Sequence, residues 1–264
     1  MCNVNEINID ELFAELSAIP LVEAIAIGGS RAGDKYDQNS DYDVYVYHKG
    51  SVESSIRRDI LTKYCTVMEI GNTFWETEDN CTLKNDIDID IIWRDLDDFI
   101  SGISSVVDSC NAGNGYTTCM WHNLIKSKII YDRDGRLLEA QKKYSCDYPK
   151  QLRDNIVTRN MALLRRQLPA YELQIKKAVK RNDRVSINHR VSAFLESYFD
   201  IIFAINGLTH PGEKRIMQYC LSDCKLLPKN FEDNINQLFD DMARDNSKVV
   251  EDIDRIITEL EQII

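Results

Sequence analysis

Val22-Glu23-Ala24-Ile25-Ala26-Ile27-Gly28-Gly29-Ser30, ten further residues, then Asp41-Tyr42-Asp43-Val44-Tyr45-Val46-Tyr47 is the stretch whose reading decides the fold. A β-rich apolar run broken by two glycines reads as a buried strand ending in a tight turn. Glycine lets the backbone approach an anion closely, and the N–H groups that follow can form an anion-binding nest. The same Gly28-Gly29 pair also serves as a plain turn. Residues i and i+2 of a strand point the same way, so Asp41 and Asp43 can share metal ions. Read blandly, Asn39-Ser40-Asp41 is a polar turn and Asp43 faces solvent.

Further along, Asp86-Ile87-Asp88-Ile89-Asp90-Ile91 alternates with period two, the pattern of a strand with one acidic face. Three like charges on one face are costly unless a cation neutralises them. An exposed edge strand that resists aggregation would tolerate them as well. An anion turn, paired carboxylates and an acidic strand each supply a part the others lack. Few chemistries need such parts at once, and the main one is Mg²⁺-dependent transfer from a nucleoside triphosphate.

Around this stretch, helical spacing predicts a helix over Asp10 to Ile19, with Asp10 as N-cap and Pro20 as its end. Leu21 to Ile27 and Tyr42 to Tyr47 read as strands, Val52 to Tyr64 as a helix and Val67 to Phe74 as a weaker strand. Ser30 is expected to cap a turn or short helix running through Lys35. From Tyr148-Pro149 onward the pattern is helical: Gln151 to Leu168, Ala170 to Lys180, Val185 to Ile205, Asn230 to Ala243 and Val249 to Ile264. The last of these is expected to bury Val250, Ile253, Ile257, Leu260 and Ile264. The fold class is therefore α+β, a mixed sheet with flanking helices over residues 1–148 followed by an all-α bundle over 149–264.

The 264 residues carry a net charge of −11. Residues 1–150 hold 15 Lys/Arg against 26 Asp/Glu, and residues 151–264 hold 17 of each, so the whole excess lies in the first part. An acidic surface argues against nucleic acid as a partner, because that affinity comes mostly from neutralising phosphates. It suits metal ions and a cationic acceptor. Arg153 to Arg190 carries ten basic residues against three acidic, which fits either the phosphates of a small ligand or a solvated helix face. No apolar run approaches the roughly 20 residues that span a bilayer, and the acidic stretch from Met1 to Glu11 reads as neither a signal nor a transit peptide. A cytoplasmic protein is expected. The eight cysteines are scattered and read as free thiols.

Gly28-Gly29-Ser30, Asp41-x-Asp43 and a later strand aspartate together resemble the nucleotidyltransferase fold shared by DNA polymerase beta and the aminoglycoside nucleotidyltransferases. The fuller stretch Val22 to Gly33 with Ser40-Asp41-Tyr42-Asp43 looks like a bacterial group of stand-alone nucleotidyltransferases with a helical C-terminal domain. Asp90-Ile91-Ile92-Trp93-Arg94-Asp95-Leu96 and Asn206-Gly207-x-x-His210-Pro211-Gly212-Glu213-Lys214-Arg215 look like that group too. The resemblance implies that Gly28, Gly29 and Ser30 bind the nucleotide, with Gly29 and Ser30 on the β- and γ-phosphates. It implies that Asp41, Asp43 and Asp90 hold two Mg²⁺ ions, with Asp90 preferred over Asp88 and helping to deprotonate the acceptor.

Lys214 and Arg215 are candidates for contacting the triphosphate as cations, or are simply charges at a helix start. The implied activity moves a nucleoside monophosphate from ATP to a hydroxyl of a small molecule and releases pyrophosphate. An aminoglycoside-like antibiotic is the leading acceptor, which would confer antibiotic resistance. Nucleotidylation of a protein or an RNA end is an alternative, and so is a non-catalytic nucleotide-binding regulatory module. Tyr36, Tyr45 and Trp93 are candidates for stacking a base, with core packing as the rival reading. His48, His122, His189 and His210 suggest no metal cluster or triad.

Overall fold

The computed structural model describes residues 8–33 and 40–264; Lys35 and Tyr36 lie outside them. It divides into two units, Met1–Ile103 with Asn123–Cys146, and Ser104–His122 with Asp147–Ile264.

The first unit is built on a sheet of β1 (Val22–Ile27), β2 (Tyr42–His48), β3 (Cys65–Asn72), β4 (Thr77–Leu83), β5 (Asp88–Asp95) and β6 (Lys128–Asp132). Among the described residues it is six-stranded, in the order β3-β4-β5-β2-β1-β6. β2 and β5 pair in parallel, while every other neighbouring pair is antiparallel. Helices α1 (Ile9–Ser17) and α2 (Ser54–Leu61) pack on one face, α2 lying in the connection between β2 and β3. Leu12, Phe13 and Leu16 of α1 and Ile60 and Leu61 of α2 share a buried cluster with Ile25, Val44, Val46, Ile89, Ile91 and Trp93. Alternation therefore sends Asp43, Tyr45 and Tyr47 of β2, with Asp90, Ile92 and Arg94 of β5, to the opposite face. Toward the far end of the strands that face is closed by α3 (Leu96–Val107), whose Phe99 ring lies 5.0 Å from that of Tyr47. The expected mixed sheet with flanking helices is what forms.

Several local expectations change. The N-cap of α1 is Asn8, whose side chain accepts from the Asp10 backbone N–H at 3.2 Å, and not Asp10. Asp86 is not a strand residue: it sits at φ 62° in the turn closed by Leu83 N–H to Ile87 O at 2.8 Å. Only Asp88 and Asp90 share the acidic face, because the chain reverses between β4 and β5 before the strand begins.

β4 itself carries no apolar alternation, since its inward side is Asp79, Cys81 and Leu83. Asp79 is fully buried and held by Arg57 at 2.6 Å, Trp93 Nε1–H at 2.8 Å and Gly71 N–H at 2.9 Å. A carboxylate satisfied by three donors thus occupies a core position that a hydrophobic pattern would assign to an aliphatic side chain.

The second unit contains α6 (Lys150–Met161), α7 (Tyr171–Lys180), α8 (Arg184–Ile205), α9 (Ile216–Asp223), α10 (Phe231–Arg244) and α11 (Val249–Glu261). Earlier in the chain, α4 (Cys119–Lys126) runs across the boundary between the units and α5 (Arg136–Tyr144) belongs to the first. Ser197 to Ala204 of α8 are all buried, which makes that half the centre of the helical core. Phe194, Tyr198 and Ile202 cluster there with Ile235, Leu238, Ile253, Ile257 and Leu260. In α11 the buried stripe starts at Val249, not Val250, and Ile264 is half exposed. Among the described residues no helix is long and apolar enough to cross a membrane.

Asp200 is one of the charged residues buried in this unit, with Asp241 and Asp252. Asp200 accepts hydrogen bonds from Thr117 N–H at 3.0 Å, Thr117 Oγ1–H at 2.6 Å and Asn160 Nδ2–H at 3.2 Å. Burial nevertheless raises its carboxyl from the ordinary 3.8 to about 6. A raised carboxyl binds its proton more tightly in the folded state, so this group's contribution to stability is greatest at low pH and declines as pH rises from about 4 to 6. The stability difference between wild type and Asp200→Asn should therefore shrink in favour of the variant over that window, by up to about 3 kcal/mol, and then level off. Urea unfolding of both proteins at half-unit pH steps measures it.

Candidate functional site

β1 ends at Ile27, and the chain turns at once. Gly28 N–H donates to Asp43 O at 2.8 Å, which ties the turn to β2 beside the candidate carboxylates. Gly28 lies over the Tyr45 ring so closely that an added Cβ would stand 2.4 Å from its Cε2. Gly29 has φ +57°, and a Cβ there would lie 1.9 Å from Asp43 Oδ2. Both features require glycine: the left-handed backbone disfavours L side chains, and the Asp43 carboxylate already fills the space. From Gly29 to Ala32 the chain forms one turn of 3-10 helix, with Gly29 and Ser30 exposed.

The parallel register places Asp43 directly beside Asp90. Paired residues on neighbouring parallel strands project to the same side, with backbones about 5 Å apart. Asp90 is steered from its other side by Asn80 of β4, whose Nδ2–H donates to Asp90 Oδ1 at 2.8 Å. Asn80 is itself oriented by accepting from Asn72 Nδ2–H at 3.0 Å. Asp88 takes a hydrogen bond from Thr82 Oγ1–H at 2.8 Å and is exposed. Asp41 stands exposed just before β2, where the Arg31 side chain binds the Ser40 carbonyl at 2.7 Å and the Asp41 carbonyl at 3.2 Å.

Deeper on the same face, Arg94 makes two bonds to Glu76, 2.7 and 2.6 Å, and one to Asn123 Oδ1 at 2.9 Å, with its guanidinium 4.5 Å from the Tyr45 ring centre. Burial raises the Tyr45 phenol, which therefore stays neutral. Tyr45 and Trp93 are interior residues, 8% and 5% exposed, and are packing rather than stacking groups; Tyr36 lies outside the described residues.

The structure thus brings together Gly28, Gly29, Ser30, Asp43 and Asp90, with Asp41 on the adjoining segment. Lys214 and Arg215 belong to the second unit, exposed where the chain enters α9. The loop before them is pinned by His210, whose N–H donates to Thr118 Oγ1 at 2.8 Å and whose Nδ1 accepts from Gly212 N–H at 3.1 Å. Burial lowers the His210 imidazole to about 4, so it is a neutral structural ring at pH 7.

Among the described residues no three His, Cys, Asp or Glu side chains converge into a metal cage. A Mg²⁺ site does not need one, because that ion keeps waters and substrate phosphates in its shell and takes one or two carboxylates from the protein. The donors present are carboxylate oxygens, which suit a hard divalent cation, and the Gly29 backbone leaves no side chain between the turn and Asp43. The residues fit such an ion. Two contributors escape the sequence reading: Asn80, whose role arises from antiparallel pairing, and Arg31, for which its place next to Ser30 was the available signal.

Comparison with known proteins adds three findings. A family model described as "Domain of unknown function (DUF4037)" matches residues 118–215. No curated protein matches the sequence. Among solved structures, the chain is similar to a nucleotidyltransferase-like protein from Exiguobacterium sibiricum 255-15, at 12% identity and a TM-score of 0.44, over 96% of this chain and 72% of that one.

Proposed function

We propose that the chain is a Mg²⁺-dependent nucleotidyltransferase, moving a nucleoside monophosphate from a nucleoside triphosphate, ATP foremost, to a hydroxyl of a small molecule in the cytoplasm. The observation that carries this reading is the contact between the exposed Gly29 turn and the Asp43 carboxylate, with Asp90 beside Asp43 in register. An anion cradle touching one carboxylate, with a second beside it in register, serves a ligand that is a phosphate chain carrying divalent cations.

In this reading Asp41, Asp43 and Asp90 would hold two Mg²⁺ ions, which when bound neutralise charge on the triphosphate and on the entering and leaving oxygens. The N–H groups of Gly29 and Ser30, with the Ser30 hydroxyl, bind the β- and γ-phosphates. Asp90, held at one oxygen by Asn80, takes the proton of the acceptor hydroxyl. The acceptor oxygen then attacks the α-phosphorus in line, the bond from that phosphorus to the oxygen bridging it to the β-phosphate breaks, and pyrophosphate leaves with the bridging oxygen. The acidic balance of the first 150 residues favours a cationic acceptor of the aminoglycoside kind.

A pyrophosphate-release screen of four nucleoside triphosphates against aminoglycosides, lincosamides and other polyols tests the proposal. The expected result is Mg²⁺-dependent release with at least one acceptor, whose mass rises by one nucleoside monophosphate. Tight Mg-ATP binding with no turnover across the panel would replace it with a nucleotide-sensing module.

A further inference from the structure

Arg31 follows Ser30 directly and lies in the same 3-10 turn. Its side chain does not stay in that turn. Nε–H bridges the Ser40 and Asp41 carbonyls, at 2.7 and 3.2 Å, and the guanidinium carbon stands 3.8 Å from the centre of the Tyr42 ring. One side chain thus grips three consecutive residues across the intervening segment, at the point where the candidate carboxylates begin. The ladder between β2 and β5 starts at Tyr42, so Asp41 precedes the paired strand. The next link along is Gly28 N–H to Asp43 O at 2.8 Å.

We propose that Arg31 is a positioning residue of the metal site, fixing the Asp41 backbone relative to the Gly28-Gly29-Ser30 turn. The inference rests on the nucleotidyltransferase reading above. Arginine suits the task because a planar guanidinium can lie on the Tyr42 ring while its Nε edge meets two carbonyls. The compact ammonium of lysine cannot do both. An arginine beside a phosphate-binding turn has an obvious rival role, that of contacting the triphosphate itself. The two roles differ in what they control: a positioning residue sets affinity for metal, a phosphate contact sets affinity for nucleotide.

Arg31→Ala and Arg31→Lys in the full chain separate them. Mn²⁺ binding without nucleotide, followed by electron paramagnetic resonance, should weaken about tenfold in both variants, in the range expected when a partner supporting a ligand is lost. In pyrophosphate release the half-saturating Mg²⁺ concentration should rise by a similar factor, with kcat recovering at high Mg²⁺ and the KM for nucleotide within threefold of wild type. Circular dichroism without metal separates out a folding defect, which would lower the folded fraction before any Mg²⁺ is added. Should Arg31→Ala fail to fold, Tyr42→Leu removes the ring beneath the guanidinium, and a smaller rise in Mg²⁺ requirement is expected. Unchanged Mn²⁺ affinity, or a raised nucleotide KM with an unchanged Mg²⁺ requirement, overturns the inference. If the wild type neither binds Mn²⁺ nor releases pyrophosphate, the nucleotidyltransferase reading itself fails, and this inference with it.

Discussion

Asp43→Asn is expected to lower Mg²⁺-dependent pyrophosphate release by about a thousandfold, equivalent to about 4 kcal/mol of transition-state stabilisation, while leaving the fold intact. Asp43 is where the parts of the site meet: its backbone carbonyl holds Gly28, its carboxylate backs Gly29, and its register partner is Asp90. Asparagine keeps the shape and one carbonyl oxygen but removes the charge that a divalent cation requires of its ligand. The same change removes a like-charge neighbour for Asp90. Thermal stability should therefore hold or rise slightly, the direction typical when a strained functional group is neutralised. Pyrophosphate release and thermal unfolding on the same preparations check both halves. A variant with wild-type turnover would remove Asp43 from the metal site, and one that unfolds would show that its role is structural.

How much of this was legible in the sequence depended on whether a feature is local. β1 and β2 show as apolar or aromatic runs bounded by glycine and polar turns, and their predicted limits lie within a residue or so of those formed. The buried face of β4 is opened by Asp79, so no run of hydrophobic residues announces it. Asp86 illustrates the reverse error, where perfect alternation continues into a turn that no ladder supports. Helices such as α5, which buries Leu137, Ala140 and Tyr144, and α9, which buries Cys220, present too narrow a stripe to stand out.

The candidate site divides along the same line. Gly28, Gly29, Ser30, Asp41 and Asp43 are visible as residue types at a spacing. That Asp90 rather than Asp88 stands beside Asp43 is a matter of register between strands 47 residues apart in the chain. The resemblance of the Asp90 to Leu96 segment prefers Asp90, but alternation alone leaves Asp88 its equal. The steering of Asp90 by Asn80 likewise exists only once β4 and β5 have paired.

Gly29→Ala should be the second most damaging change, and it acts on the same atoms from the opposite side. With φ at +57° the alanine backbone itself costs about 1–2 kcal/mol. The larger consequence is steric, because the new methyl carbon would fall 1.9 Å from Asp43 Oδ2 and one of the two must move. If the carboxylate swings away, metal is lost; if the turn shifts, the phosphate-binding N–H groups are displaced. Either way pyrophosphate release should fall at least about a hundredfold, since displacements near 1 Å already cost that much.

Gly33→Ala, four residues on, supplies the control. There the backbone is extended and, among the described residues, an added Cβ meets only the Ser30 carbonyl at 3.9 Å, so activity and stability should both stay near wild type. Combining Gly29→Ala with Asp43→Asn then isolates the contact. If the alanine acts by displacing the Asp43 carboxylate, it should cost far less in activity on the asparagine background than on wild type, because residues in direct contact do not add. Full additivity of the two losses would mean that the turn binds phosphate independently of Asp43, and that the shared contact is packing alone.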